Sequence, residues 1–320
     1  MIDRRGVLKA AGGLAASGFV PFLPAAAGPR PGERYVEVPG GRVWVNVVGS
    51  GRRPALLVLH GGPGAGHDYL ESLGDLAADR PVVFYDQLGC GRSDKPDNTS
   101  LWTVDRFVAE VEAVRHALDL RQFHLYGHSW GGWLAIEYLL RQPHGVGAAV
   151  LASTSSSAPE FVAGTRYLRT LLPADVQRVL DYYEAKGDFT APEYLDAVGV
   201  FYQNFFCRLD PYPEPLLRSA ANVDGNQVYA TMNGPNEFVM TGNLASWDRT
   251  SQLCRIRKPV LLTRGRYDEF APACTDTLER HLPVVERVEF PHSAHMAMWE
   301  DRESYMRTVG SFLSKWDLGG

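Results

Sequence analysis

The segment Gly127-His128-Ser129-Trp130-Gly131 follows a strand-like run from Arg121 to Tyr126 and precedes a helix-like run from Trp133 to Arg141. No other stretch constrains the fold as tightly. A G-x-S-x-G segment in that setting puts its serine on a sharp strand-to-helix turn, with the hydroxyl presented at the end of a sheet. Glycines on both sides let the backbone crowd together there. The plainer alternative is an ordinary turn in which Ser129 only caps the helix. The rest of the chain has to decide between the two.

The flanking pattern supports the first reading. Tyr35 to Val38 and Val43 to Val48 alternate apolar and polar residues around Pro39-Gly40-Gly41, which predicts a hairpin. Ala55 to Leu59 and Val82 to Tyr85 are short apolar runs suited to buried parallel strands, and Phe123 to Tyr126 and Ala148 to Leu151 are read as further strands. Tyr69 to Ala78 has helical spacing. Val104 to Leu118 places Val104, Phe107, Val108, Val111, Val114 and Leu118 on one helical face. From Ser155 to about Trp247 the strands stop and the chain becomes helical and aromatic-rich. Alternation resumes with Val260 to Thr263, then a helix, Val285 to Phe290, and a last helix over Arg302 to Trp316. The expected architecture is α/β: a doubly wound, mostly parallel sheet built from residues 28–154 and 248–320, with a helical lid inserted over residues 155–247. Most lid aromatics are expected in the lid's own core and a few at the pocket.

A serine hydroxyl needs a neutral imidazole to take its proton and a carboxylate to orient that imidazole. On this kind of sheet the three follow in the order Ser, Asp or Glu, His. Asp268 follows the strand Val260 to Thr263, and His295 follows Val285 to Phe290. Both therefore fall in loops at the sheet edge where ligands bind. Glu269 competes with Asp268, and His292 with His295. The spacing favours Asp268, and the position just before the final helix favours His295. Acyl transfer also needs N–H donors for an oxyanion. Trp130 follows the nucleophile and supplies one. The loop His60-Gly61-Gly62-Pro63-Gly64 supplies the other, with Gly62 as the donor. A glycine loop here also suits a phosphate cradle, but G-K-[ST] and a spaced G-x-G-x-x-G are both missing. No metal or organic cofactor is expected.

The 320 residues carry a formal net charge of −5, spread with both signs. That gives nucleic acid no basic run to bind. Cys90, Cys207, Cys254 and Cys274 are scattered without metal-type spacing and are expected to be buried apolar thiols. Near the start, Asp3-Arg4-Arg5-Gly6-Val7-Leu8-Lys9 leads into an Ala/Gly-rich apolar stretch and Ala25-Ala26-Ala27. This predicts a twin-arginine export signal over residues 1–27, a transient encounter with export machinery, and a periplasmic or secreted protein. The apolar stretch is too short and glycine-broken for a stable membrane span.

Several motifs together resemble the proline iminopeptidase family of α/β-hydrolase serine peptidases. They are His60-Gly61-Gly62-Pro63-Gly64 with Asp68-Tyr69, Tyr85-Asp86-Gln87-Leu88-Gly89-Cys90-Gly91-Arg92-Ser93, and Gly127-His128-Ser129-Trp130-Gly131-Gly132. Further along, Met232-Asn233-Gly234-Pro235-Asn236-Glu237-Phe238, Gly265-Arg266-Tyr267-Asp268-Glu269 and His295-Met296-Ala297-Met298-Trp299-Glu300-Asp301 look like the branch that contains the tricorn-interacting aminopeptidase. The resemblance runs from about Tyr35 to Leu313. It implies a triad of Ser129, Asp268 and His295, and an oxyanion hole at Gly62 and Trp130. It also implies that Glu237 and Glu269 bind the free amino group of short peptides or amino-acid amides. Two other readings keep part of this picture: an amidase, esterase or lactonase on the same triad, and a non-catalytic binding protein on the same fold.

Overall fold

The computed structural model describes residues 32–317, so the expected export signal lies outside the described residues. Strands β1 (Glu33–Val38) and β2 (Gly41–Val48) form the hairpin, closed by Pro39 and Gly40. The remaining strands are β3 (Ala55–Leu59), β4 (Val82–Tyr85), β5 (Phe123–His128), β6 (Val146–Ala152), β7 (Val260–Gly265) and β8 (Val285–Phe290). They make one sheet in the order β1-β2-β4-β3-β5-β6-β7-β8. It is parallel from β4 to β8, with β2 antiparallel to β4.

β3 shows why the central strands read as unbroken apolar runs. Ala55, Leu57 and Leu59 enter one core cluster, while Leu56 and Val58 enter the cluster on the opposite face. Successive side chains point to opposite faces, so a strand covered on both sides can be apolar along its whole length. On one face lies α1 (Val104–Ala117), where Thr103 accepts from the Arg106 N–H as N-cap and Phe107, Val108, Val111 and Val114 are buried. α2 (Trp130–Leu140) is buried along its whole length, which accounts for its lack of a polar face. It starts three residues earlier than the sequence pattern suggests, directly after Ser129.

The expected helix over Tyr69 to Ala78 is a 3₁₀ segment over Asp68–Ala78. Leu70, Leu73 and Leu76 recur every third residue and are all buried, which matches a three-residue turn better than an α-helix. Between β6 and β7 come α3 (Ala158–Arg169), α4 (Ala174–Lys186), α5 (Pro192–Phe205), α6 (Glu214–Val223) and α7 (Gln227–Met232). The excursion is tied at its base. Ala158 N–H donates to Trp247 O, and Arg249 N–H donates to Ser156 O, both at 2.8 Å. Tyr194, Phe201 and Phe205 form a separate core with Leu168, Leu180 and Phe238. Tyr182 is exposed instead, and Phe206 reaches the cavity described below. The chain closes with α8 (Pro272–His281), α9 (Ala297–Glu300) and α10 (Arg302–Lys315). Among the described residues no helix is long and apolar enough to cross a membrane. All four cysteines are free; Cys254 is exposed, against the expectation of burial, while the other three are buried.

Candidate active site

Strand order reverses around β3, whose neighbours β4 and β5 lie on its two sides. In doubly wound sheets that reversal opens a crevice at the carboxyl ends of the strands. Ser129 stands there, at the end of β5, with φ 57° and ψ −125°. For a residue with a Cβ this region costs on the order of 1–3 kcal/mol, and surrounding structure must hold it. Ser129 N–H donates to Ala152 O at 3.0 Å, and the Thr154 hydroxyl donates to Ser129 O at 2.8 Å. Glycine at 131 is required by space: a Cβ there would sit 2.1 Å from Leu59 O and 2.7 Å from His60 O. The turn at Ser129 and the end of β3 are thus pressed together, and the loop after β3 is brought beside Ser129. Gly62 has φ +43° and shares both cavities around the elbow with Ser129; Trp130 lines the second of them. Trp130 is also the first residue of α2, where backbone N–H groups have no intrahelical acceptor.

His295 and Asp268 meet. His295 Nδ1 donates to Asp268 Oδ1 at 2.9 Å, which leaves Nε2 to take a proton. Asp268 Oδ1 also accepts the Phe270 N–H at 3.0 Å. Burial would raise the Asp268 carboxyl, but the His295 imidazole, the Arg264 charge and the Ser153 hydroxyl outweigh it and hold the group below the ordinary carboxylate range. The His295 ring is held between Phe206 and Phe270, both stacked at 5.5 Å between centroids. His292, the rival, is exposed in the loop.

The other two acids come from different parts of the chain. Glu269 follows Asp268 and is 1 % exposed. Glu237 comes from the lid, where the Tyr229 hydroxyl donates to its Oε1 at 2.7 Å. Both line one cavity with Ser129 and His295. Glu269 Oε1 lies 3.4 Å from His295 Nε2, and Glu269 Oε2 has no hydrogen-bond partner. Burial, then the nearby charges of Glu237 and Asp268, push the Glu269 carboxyl well above its ordinary value. Burial also raises Glu237, against the Tyr229 hydrogen bond and the His295 charge. Two acids that resist ionisation beside each other form a ready site for a cation with hydrogen-bond donors.

Sequence reasoning gave no role to a second set of residues. Gly61 N–H donates to the Tyr69 hydroxyl at 2.6 Å, and that hydroxyl lies 3.0 Å from His128 Nδ1. His128 Nε2 lies 3.0 Å from His295 O. The Tyr69 oxygen already accepts from Gly61, so its own proton goes to Nδ1, and His128 donates from Nε2. Burial and the neighbouring His295 charge depress His128 well below the usual imidazole value and keep it neutral in this role. The glycine loop and the loop that carries His295 are thereby joined through Tyr69 and His128. Both residues sit inside the quoted motifs, but their partners lie 59 and 167 residues away in the chain.

Comparison with known proteins places the chain in a family. Residues 54–302 match the α/β-hydrolase fold family. A proline iminopeptidase of Heyndrickxia coagulans is 40% identical over 283 residues, covering 88% of this chain and 98% of that protein. One from Saccharolobus solfataricus is 41% identical over 271 residues, covering 84% and 87%. Among solved structures, Mycobacterium smegmatis proline iminopeptidase superposes with a TM-score of 0.84 at 35% identity, covering 89% of this chain and 98% of that one. VinJ superposes with a TM-score of 0.86 at 33% identity, covering 92% and 100%. With sequence and fold in agreement, the chain belongs to the proline iminopeptidase family of α/β-hydrolase enzymes.

Proposed function

We propose that this protein is a serine aminopeptidase that releases the N-terminal residue of short peptides and amino-acid amides through an acyl-enzyme. The observation that carries the reading is the acid pair Glu237 and Glu269 in the cavity of Ser129 and His295. An exopeptidase must tell a chain end from a chain middle, and the ammonium group is the charged feature that marks the end. Two carboxylates at the wall of a water-poor cavity bind it by charge-assisted hydrogen bonds. The name of the relatives nominates proline as one acceptable residue. A small pocket lined by Trp130, Trp133, Phe161, Met240 and Phe270 beside Ser129 suits a compact apolar side chain.

His295 Nε2 takes the Ser129 proton as Oγ bonds to the carbonyl carbon of the first residue. The carbonyl π electrons move to oxygen, which the Gly62 and Trp130 N–H groups stabilise. Collapse breaks the C–N bond, and His295 returns the proton to the departing amine. Water then attacks the ester, His295 takes its proton, and Ser129 Oγ leaves with that proton. Asp268 holds the imidazole tautomer throughout and stays ionised. The amino-terminal arginine motif supports the further reading that the enzyme is exported and acts in the periplasm or outside the cell.

A panel of proline, alanine, leucine and phenylalanine aryl amides, each beside its N-acetylated form, tests the reading. Free-amine substrates should turn over, blocked ones should not, and Ser129→Ala should abolish turnover. Comparable rates on blocked substrates, or turnover by Ser129→Ala, would overturn it.

A further inference from the structure

Gln87 follows β4 in the Tyr85-Asp86-Gln87 motif, is completely buried, and lies on no cavity wall described above. A buried amide is costly unless both its ends are used, and here they are. Nε2 donates to His60 O at 2.9 Å, while Oε1 accepts the Trp130 indole N–H at 2.9 Å. The Gln87 backbone N–H also donates to His60 Nε2 at 3.0 Å. One residue is thereby bonded to both arms of the oxyanion hole.

These contacts fix more than position. With His60 Nε2 occupied as an acceptor, the ring proton must be on Nδ1, which lies 3.0 Å from Gly61 O. Burial depresses His60 to about 4, so this neutral tautomer persists at working pH. Gly61 C=O and Gly62 N–H belong to the same peptide plane and point in opposite directions in a trans peptide. Holding the Gly61 carbonyl with the His60 ring therefore aims the Gly62 N–H. On the other arm, the indole of Trp130 is fixed at the first residue of α2, whose backbone N–H is the second donor.

We infer that Gln87 is a positioning residue for the oxyanion hole: it sets the His60 tautomer that aims Gly62 N–H and anchors Trp130 at the same time. This rests on the reading of Ser129 as the nucleophile with Gly62 and Trp130 as donors.

Two variants test it. Gln87→Met keeps length and loses both polar ends. Gln87→Glu keeps both while its carboxyl is protonated, then loses the donor on ionisation. Each is assayed on a free-amine aryl amide and with an aminoacyl boronic acid that mimics the tetrahedral state, beside a melting curve. Gln87→Met should lower kcat about 10- to 100-fold, below the ~10²–10³ lost with an outright oxyanion donor. KM should move less than about threefold, and boronate affinity should fall in step with kcat/KM. For Gln87→Glu, kcat relative to wild type at each pH should start near unity and fall as the introduced carboxyl ionises. That pH-dependent ratio is a readout that loss of core stability alone would not produce.

Wild-type kcat and boronate affinity in both variants would overturn the inference, as would a loss confined to KM. A flat kcat ratio across pH in a folded Gln87→Glu protein would also overturn it. Failure of the wild-type enzyme to bind the boronate, or turnover by Ser129→Ala, would instead remove the nucleophile reading on which the inference stands.

Discussion

Glu269→Gln should make the protein more stable and a worse aminopeptidase. The side chain is 1 % exposed, and its Oε2 has no hydrogen-bond partner. Its ionised form is opposed by burial and by Glu237 and Asp268. A buried, unsatisfied polar group costs about 1–3 kcal/mol, and more when charged. Glutamine keeps the shape and removes the charge, so a gain of about 1–3 kcal/mol is expected at neutral pH. Each kcal/mol corresponds to about 2–4 °C in Tm for chains of 150–250 residues. The pH dependence gives the sharper test. The folded-state pKa is raised, so the protonated group contributes stability fully below the unfolded value, about 4.3, and that contribution is lost as pH rises through the folded value. The variant does not titrate at this position. Its Tm advantage should therefore be smallest near pH 4, grow with pH, and level off above the folded pKa. On a free-amine aryl amide the lost charge-assisted hydrogen bonds should cost about 1.5–3 kcal/mol, or roughly 10- to 150-fold in kcat/KM. An aryl ester without an amine should be affected far less. Differential scanning calorimetry from pH 4 to 9 and steady-state kinetics on both substrates measure all of this. A pH-independent or negative Tm difference would refute the electrostatic account, and equal losses on the two substrates would refute the ammonium role.

Tyr69→Phe removes the hydroxyl shared by Gly61 and His128, at about 1–3 kcal/mol for each buried group left unpaired. Melting should come earlier, and kcat should fall by about tenfold as the glycine loop and base loop lose registry; an unchanged kcat in the folded variant would show that the chain of bonds does not position the site. Replacing Arg4 and Arg5 together by Lys should retain the protein in the cytosolic fraction of a host with a twin-arginine pathway. Equal export of the double variant would dispose of the signal reading.

The strands were legible because they are buried on both faces. Every residue of β3 and β4 is buried, so each appears as an uninterrupted apolar run bounded by loop residues. The meeting of Asp268 with His295 was legible because chain order and loop position are local properties of a parallel sheet. Asp268 and His295 each follow a strand end directly, and the sheet brings the ends of β7 and β8 side by side. Hydrogen-bond partners were not legible. Nothing local about Gln87 says that its amide spans from His60 to Trp130, 27 residues back and 43 ahead. The 3₁₀ geometry of Asp68–Ala78 was missed for another reason: over three turns, apolar residues repeating every three positions resemble those of a 3.6-residue helix. The hydroxyl-rich run Ser153 to Ser157 lies where the strand rhythm ends. It did not reveal that Thr154 braces the Ser129 carbonyl or that the Ser155 hydroxyl accepts the Trp133 indole N–H.

The charges of the cavity explain why such a site favours a cationic substrate. Asp268, Glu269 and Glu237 all converge on His295. Full ionisation of all three around a neutral imidazole would leave three negative charges with little water to screen them, which burial makes expensive. The protein relieves this unevenly. Asp268 is held below the ordinary range by its hydrogen bonds and keeps its charge, while Glu237 and Glu269 are pushed upward and resist losing their protons. On the proposed function, a substrate ammonium supplies the missing positive charge in the cavity that these two acids line. It stabilises their ionised forms, and by linkage those ionised forms stabilise the bound ammonium. An N-acylated peptide brings no such charge and leaves the acids in their costly environment. Selectivity for a free N-terminus then follows from compensation within the cavity, and it should weaken at low pH, where the pair is already neutralised by protons.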